Sequence, residues 1–244
     1  MDLATTIWTT ETYQTFLTEL EQAGDATLRE HMARLVPTNY PIWGLKMPQL
    51  RALGITISRG DPVGFLRVAG EESYEAVIVQ GFVLSRMKIG CAAFTRYCDA
   101  YLTRVDCWAM CDLVVHCQQV PKFKPAFLPT IQRYLQATNP WIQRTGLVFL
   151  LKFYLTPADT AQTLQLAASV DSDDYYVQMG QAWLLKAAFP ENQAAVYQLL
   201  RAVLPLPVVQ KTVAKIKGLR HTSLTEQAEL QAILAERRLA QKRG

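Results

Sequence analysis

The chain has 244 residues, 50% of them hydrophobic and 19% charged, with a net charge of +4. That is enough apolar material for a sizeable core in one domain or one continuous array, and the chain reads as a soluble globular protein. No apolar run approaches the roughly 18 residues a membrane helix needs, and the opening "MDLATTIWTTETYQ" is acidic and polar where a secretory leader would be basic and then apolar.

From these features a cytoplasmic protein with no membrane partner is expected. The five cysteines (Cys91, Cys98, Cys107, Cys111 and Cys117) are odd in number, lack a CxxC pair and sit in apolar, helix-like surroundings, so they read as reduced core thiols.

In chain order the segments read almost wholly as helix, with little period-two alternation. Runs such as "RTGLVFLLKFY" and "MGQAWLLKAAF" are separated by short polar breaks. The breaks recur as helix starts at Ser73-Tyr74, Asp106-Cys107-Trp108, Asn139-Pro140-Trp141, Asp174-Tyr175-Tyr176 and Leu206-Pro207-Val208-Val209, where Ser, Asp or Asn caps and proline suits the first turn. Taking Tyr74, Trp108, Trp141, Tyr176 and Val209 as equivalent gives spacings of 34, 33, 35 and 33 residues. Tyr40 lies 34 before Tyr74, although Pro48 is a competing helix start there.

Each unit has room for two helices: a first such as "CAAFTRYCDAYLTR" or "FLPTIQRYLQAT", then the one beginning at the marked position. That period predicts an all-α fold, an α-solenoid of HEAT-like helical repeats forming a curved superhelix with a concave groove. Residues 1–244 are expected to form a single repeat domain, with a basic C-terminal tail at about 237–244. From Pro205 onward, eight basic residues stand against three acidic ones. The excess hints at an anionic partner such as nucleic acid, although a solvated helix face and a frayed tail account for the charge more simply.

Positions three, four and seven after each marker share a helix face. Most of that face is apolar; Asp112, Arg144 and Trp183 are its exceptions, on three successive units. "CWAMCD" (107–112) sets Trp108 and Asp112 one above the other if its helix is continuous. Two readings fit. Asp112 and Arg144 form an inter-repeat ion pair among core tryptophans (Trp108, Trp141, Trp183), or the stripe faces a ligand in the groove. His31, His116 and His221 lack metal-ligand spacing, there is no phosphate loop and no GxSxG, and "DSDD" (171–174) reads as a capped inter-helix turn. No metal and no cofactor are expected.

Five segments in this order resemble the AlkD-like family of HEAT-repeat alkylpurine DNA glycosylases: "IWGLKMPQLRALG" (42–54), "YEAVIVQGFVLSRMK" (74–88), "DCWAMCDLV" (106–114), "WIQRTGLVFLL" (141–151) and "YYVQMGQAWLLKAAF" (175–189). The resemblance runs from about Tyr40 to Arg220. It implies that Asp112 is the catalytic aspartate, that Trp108 and Trp183 are the active-site tryptophans, and that Arg144 is the active-site arginine. It further implies excision of cationic N3- and N7-alkylated purines from double-stranded DNA without base flipping.

On that reading Lys46, Lys186, Lys211, Lys215 and Lys217 extend the phosphate track, although each taken singly reads as a solvated surface lysine. The protein is then expected to be a monomer, nucleoid-associated when bound to DNA. Gln178 and Met179 are uncharged where some relatives place basic residues, and Lys46 stands where arginine is common. A non-catalytic DNA-binding solenoid for distorted or branched duplex, and a protein-interaction scaffold, are the alternatives.

Overall fold

The computed structural model describes residues 1–220 and 222–242. Among them there is no strand, and the expected all-α fold is found. The chain divides into two compact units, Met1–Thr130 and Ile131–Gly244.

In the first unit the helices are α1 (Thr10–Gln22), α2 (Ala26–Leu35), α3 (Met47–Arg59), α4 (Pro62–Val68), α5 (Tyr74–Arg86), α6 (Cys91–Leu102) and α7 (Trp108–Cys111), followed by 3₁₀ turns at Asp112–His116 and Val120–Lys122. The division falls inside α8 (Lys124–Leu135). The second unit then holds α9 (Pro140–Phe153), α10 (Thr160–Ala168), α11 (Tyr175–Ala188), α12 (Gln193–Ala202), α13 (Leu206–Lys217) and α14 (Leu224–Gln241).

Each unit is a stack of helices in which the second member of a pair meets its counterpart in the next, the packing of an α-solenoid. In the first unit α3 packs on α5 and α5 on the 3₁₀ turn 112–116; in the second, α9 packs on α11 and α11 on α13. Other helices lie alongside, with α4 and α6 against α5, and α10 and α12 against α11. No helix among the described residues is long and apolar enough to cross a membrane.

Burial explains the composition of the central helices. Every residue of α5 from Tyr74 to Ser85 is buried, as its continuous apolar run requires. Burying the Glu75 carboxylate there demands partners. Its Oε1 accepts from the backbone N–H of Gly44 at 2.8 Å and of Leu45 at 3.3 Å, while Oε2 accepts from Trp43 at 3.0 Å. These bonds hold the loop before α3 against α5. The loop needs glycine at 44, where φ is +92° and a Cβ would meet the Asp25 carbonyl oxygen at 2.2 Å.

All five expected helix starts are found where the sequence puts them, α7 beginning at Trp108. Ser73, Asn139 and Asp174 cap α5, α9 and α11, and Pro207 lies in the first turn of α13. Asp174 accepts from the N–H groups of Tyr176 and Val177, which makes "DSDD" a capped turn.

Three expectations need correction. Asp106 is not a cap: its carboxylate accepts from Thr38 Oγ1 at 2.8 Å and Asn39 N–H at 2.7 Å, and Cys107 holds the N-cap position of α7 without a side-chain bond. The helix through "CWAMCDLV" changes type at Asp112: the Asp112 N–H still donates to the Trp108 carbonyl, as the stacking of the two residues requires, but from there the chain tightens into a 3₁₀ turn. Tyr40 does not start a helix: α3 begins at Met47 with Pro48 in its first turn, and the Tyr40 hydroxyl donates to Glu71 Oε2 and the Arg104 carbonyl.

Of the expected C-terminal tail, residues 237–241 continue α14. Arg237 donates to the carbonyls of Arg201 and Leu204 at 2.6 Å, satisfying the C-terminal end of α12. Arg243, Gly244 and His221 lie outside the described residues. None of the five cysteines is in a disulfide, and four of them are buried.

Candidate functional site

Asp112 stands where its helix tightens from α to 3₁₀. The last carbonyls of α5 have no intrahelical donor. Gln119 Nε2 donates to Leu84 O at 3.0 Å and Gln118 N–H to Ser85 O at 3.2 Å, which draws the segment after α7 across the end of α5. A tightened 3₁₀ turn gives it the necessary reach. Leu113 and Val114 point into the unit and are buried, while Asp112 at the head of the turn and Trp108 at the start of α7 stay half-buried. A carboxylate and an indole, four residues apart, are thus both accessible from one short segment.

Close packing fixes this segment further. A Cβ on Gly81 of α5 would lie 2.5 Å from Leu113 Cδ1 and 2.7 Å from the Tyr101 hydroxyl oxygen, so any larger residue there has to displace both side chains. That hydroxyl donates to Met110 O at 3.1 Å. Burial, together with the Asp106 and Asp112 carboxylates, pushes the Cys107 thiol up to about 12, so at neutral pH it is a protonated core group and not a nucleophile.

In the second unit the stacked helices α9, α11 and α13 contribute cations to one another's surroundings. Arg144 of α9 is buried, at 6% exposure, and its Nη1 donates to the Tyr176 carbonyl of α11 at 2.8 Å. Lys215 of α13 is half-buried, and its proton affinity lies below the ordinary lysine value because of burial and of the neighbouring Arg144 and Lys186. Trp183 of α11 is half-buried in the same stack.

The remaining lysines are placed differently. Lys211 Nζ donates to Gln178 Oε1 at 2.8 Å and stands 5.2 Å from the centre of the Tyr175 ring. The uncharged Gln178 is therefore a clamp for a lysine, and its own Nε2 donates to Ser172 O at 3.0 Å. Lys217 and Lys46 are exposed, the latter in the first unit just before α3, where its backbone N–H donates to Gln49 Oε1 at 2.9 Å.

Of the expected residues, Trp108 and Asp112 lie one turn apart in the first unit, where the Asp112 N–H donates to the Trp108 carbonyl, and in the second unit Lys215 has Arg144 and Lys186 as charged neighbours. Sequence reading missed Tyr175 and the clamping by Gln178. Two adjacent tyrosines at a helix start carry a usable signal, since neighbours on a helix point about 100° apart and cannot both face the core. Among the described residues no cluster of His, Cys, Asp and Glu is arranged to hold a metal ion.

No curated protein and no solved structure matches the chain. A family model described as DNA alkylation repair enzyme matches residues 16–226, wider at both ends than the five segments, and the chain belongs to that family.

Proposed function

We propose that the protein is a DNA glycosylase that excises cationic N3- and N7-alkylated purines from duplex DNA. Membership of a DNA alkylation repair family gives it a role in alkylation repair. The observation that supports the finer reading is that Asp112 and Trp108, one turn apart and both half-buried, leave a carboxylate and an indole accessible on one short segment bonded to the end of α5.

A purine alkylated at N3 or N7 is cationic, and it leaves as a neutral base when its glycosidic bond breaks. The bonding electrons go with the purine, and positive charge develops on the sugar at C1′. The Asp112 carboxylate stabilises that charge and orients a water that adds to C1′ and gives up a proton. The indole faces of Trp108 and Trp183 carry negative quadrupole density suited to a cationic sugar or nucleoside. Arg144, Lys186 and Lys215 bind backbone phosphate, with Lys46, Lys211 and Lys217 adding weaker contacts.

The test is base release from duplex DNA containing 7-methylguanine or 3-methyladenine, quantified by chromatography, with Asp112→Asn as the control. Release by the native protein and a loss of roughly 100-fold or more in the variant are expected. Equal release by both would remove Asp112 from catalysis. Binding without release would make the protein a DNA-recognition solenoid, and no binding at about 0.1 M salt would favour a protein scaffold.

A further inference from the structure

Tyr175 is the first residue of α11 and is 56% exposed, an unusual setting for a large aromatic ring in a chain that buries most of its others. Its surroundings are ordered. The Tyr176 ring meets it edge to face at 5.2 Å, and Tyr176 in turn lies 5.0 Å from the Trp141 ring. Asp174 pins the first turn of α11 by accepting two backbone N–H bonds, and the Ser172 carbonyl holds Gln178, which holds Lys211 beside the ring. The Lys211 ammonium lies over one face of the Tyr175 ring, 5.2 Å from its centre, so ring and ammonium are presented together on the second unit.

We propose that Tyr175 and Lys211 form a stacking site for an unpaired nucleobase of DNA. The face of the Tyr175 ring turned away from Lys211 suits the π-face of any base, and the ammonium donates to the phosphate that follows it. Lys211 has three donors and commits one to Gln178, which leaves donors for a phosphate oxygen. A base inside a duplex cannot use this platform, because its two faces are covered by its neighbours; a base that has left the stack exposes one. Preorganisation matters here, since a ring already fixed by Tyr176 loses little freedom on binding. The acidic residues Asp171 and Asp173 are exposed on the turn before α11, so the strand's phosphates are directed to the Lys211 side. The inference rests on the preceding section only in taking DNA as the ligand, and it does not depend on glycosidic bond cleavage.

The experiment uses the full chain and two undamaged duplexes, identical except that one carries a single bulged 2-aminopurine. Affinity is read by anisotropy and stacking by quenching of the 2-aminopurine fluorescence. The native protein is expected to bind the bulged duplex about tenfold more tightly and to quench it, in line with the stacking of one base. Tyr175→Ala should abolish both effects, and Tyr175→Trp, which keeps a ring, should retain them. Equal affinity of the native protein for the two duplexes, or an undiminished preference in Tyr175→Ala, would overturn the proposal. Because neither duplex contains an alkylated base, a protein that fails to release bases can still pass this test.

Discussion

Single residues around the 3₁₀ turn decide whether Asp112 is presented. Gly81 sits where a Cβ would strike Leu113 Cδ1 at 2.5 Å, and Leu113 adjoins Asp112. Gly81→Ala should therefore lower stability by roughly 1–3 kcal/mol through overpacking. If Asp112 is catalytic, base release should fall in the same variant, more than in an alanine replacement at Gly90, where an added Cβ meets nothing within 4 Å. Denaturant titration and base-release assays on the two variants check this. Cys107 gives a pH signature. Its folded-state proton affinity is raised, to about 12, above an ordinary thiol at about 8.5. The native state thus keeps a proton that the unfolded chain loses, and the associated stability is fully present below about pH 8.5 and declines as pH rises toward 12. At pH 10 the loss is roughly 1–2 kcal/mol, so the fall in stability between about pH 8.5 and 10 should be shallower in Cys107→Ala.

Elements are joined by a device that both units use. Gln80 of α5 sends Nε2 to Gly70 O at 2.7 Å, and Gln181 of α11 sends its Nε2 to Ala167 O at 2.9 Å and Val170 O at 2.8 Å. In each case an inner helix satisfies carbonyls at or just past the end of the helix before it, groups that no intrahelical donor can reach. Gln181 is 1% exposed, so Gln181→Met, which keeps the length of the side chain, should leave two carbonyls unpaired and cost roughly 2 kcal/mol. Urea denaturation measures it; a change within about 0.5 kcal/mol would show that water replaces the amide.

For the molecule as a whole, the balance of charge bears on DNA. Arg144, Lys186, Lys211, Lys215 and Lys217 all belong to the second unit. If these five contact phosphates, the log–log dependence of duplex affinity on salt should have a slope of about −4 to −5, and Lys217→Gln should reduce it by about one. A slope near zero would separate this charge from DNA binding.

The sequence alone determined the helical class, the period of about 34 residues and the five helix starts. Those signals are local: a cap is read from one or two residues, and an apolar face from its spacing within a few turns. It also singled out Asp112, Arg144 and Trp183, because charge and bulk stand out against an apolar stripe. Tertiary structure decided the rest. The tightening from Asp112 onward goes with bonds to the carbonyls of Leu84 and Ser85, far back in the chain, and Asp106 was taken from its cap by Thr38 and Asn39. Glu75 is buried because a loop some 30 residues earlier surrounds it with N–H groups, and Tyr175 is exposed because its neighbour Tyr176 took the place against Trp141. In every such case the deciding partner is distant along the chain, and a hydrogen bond or a ring contact with it forms only once the chain has folded.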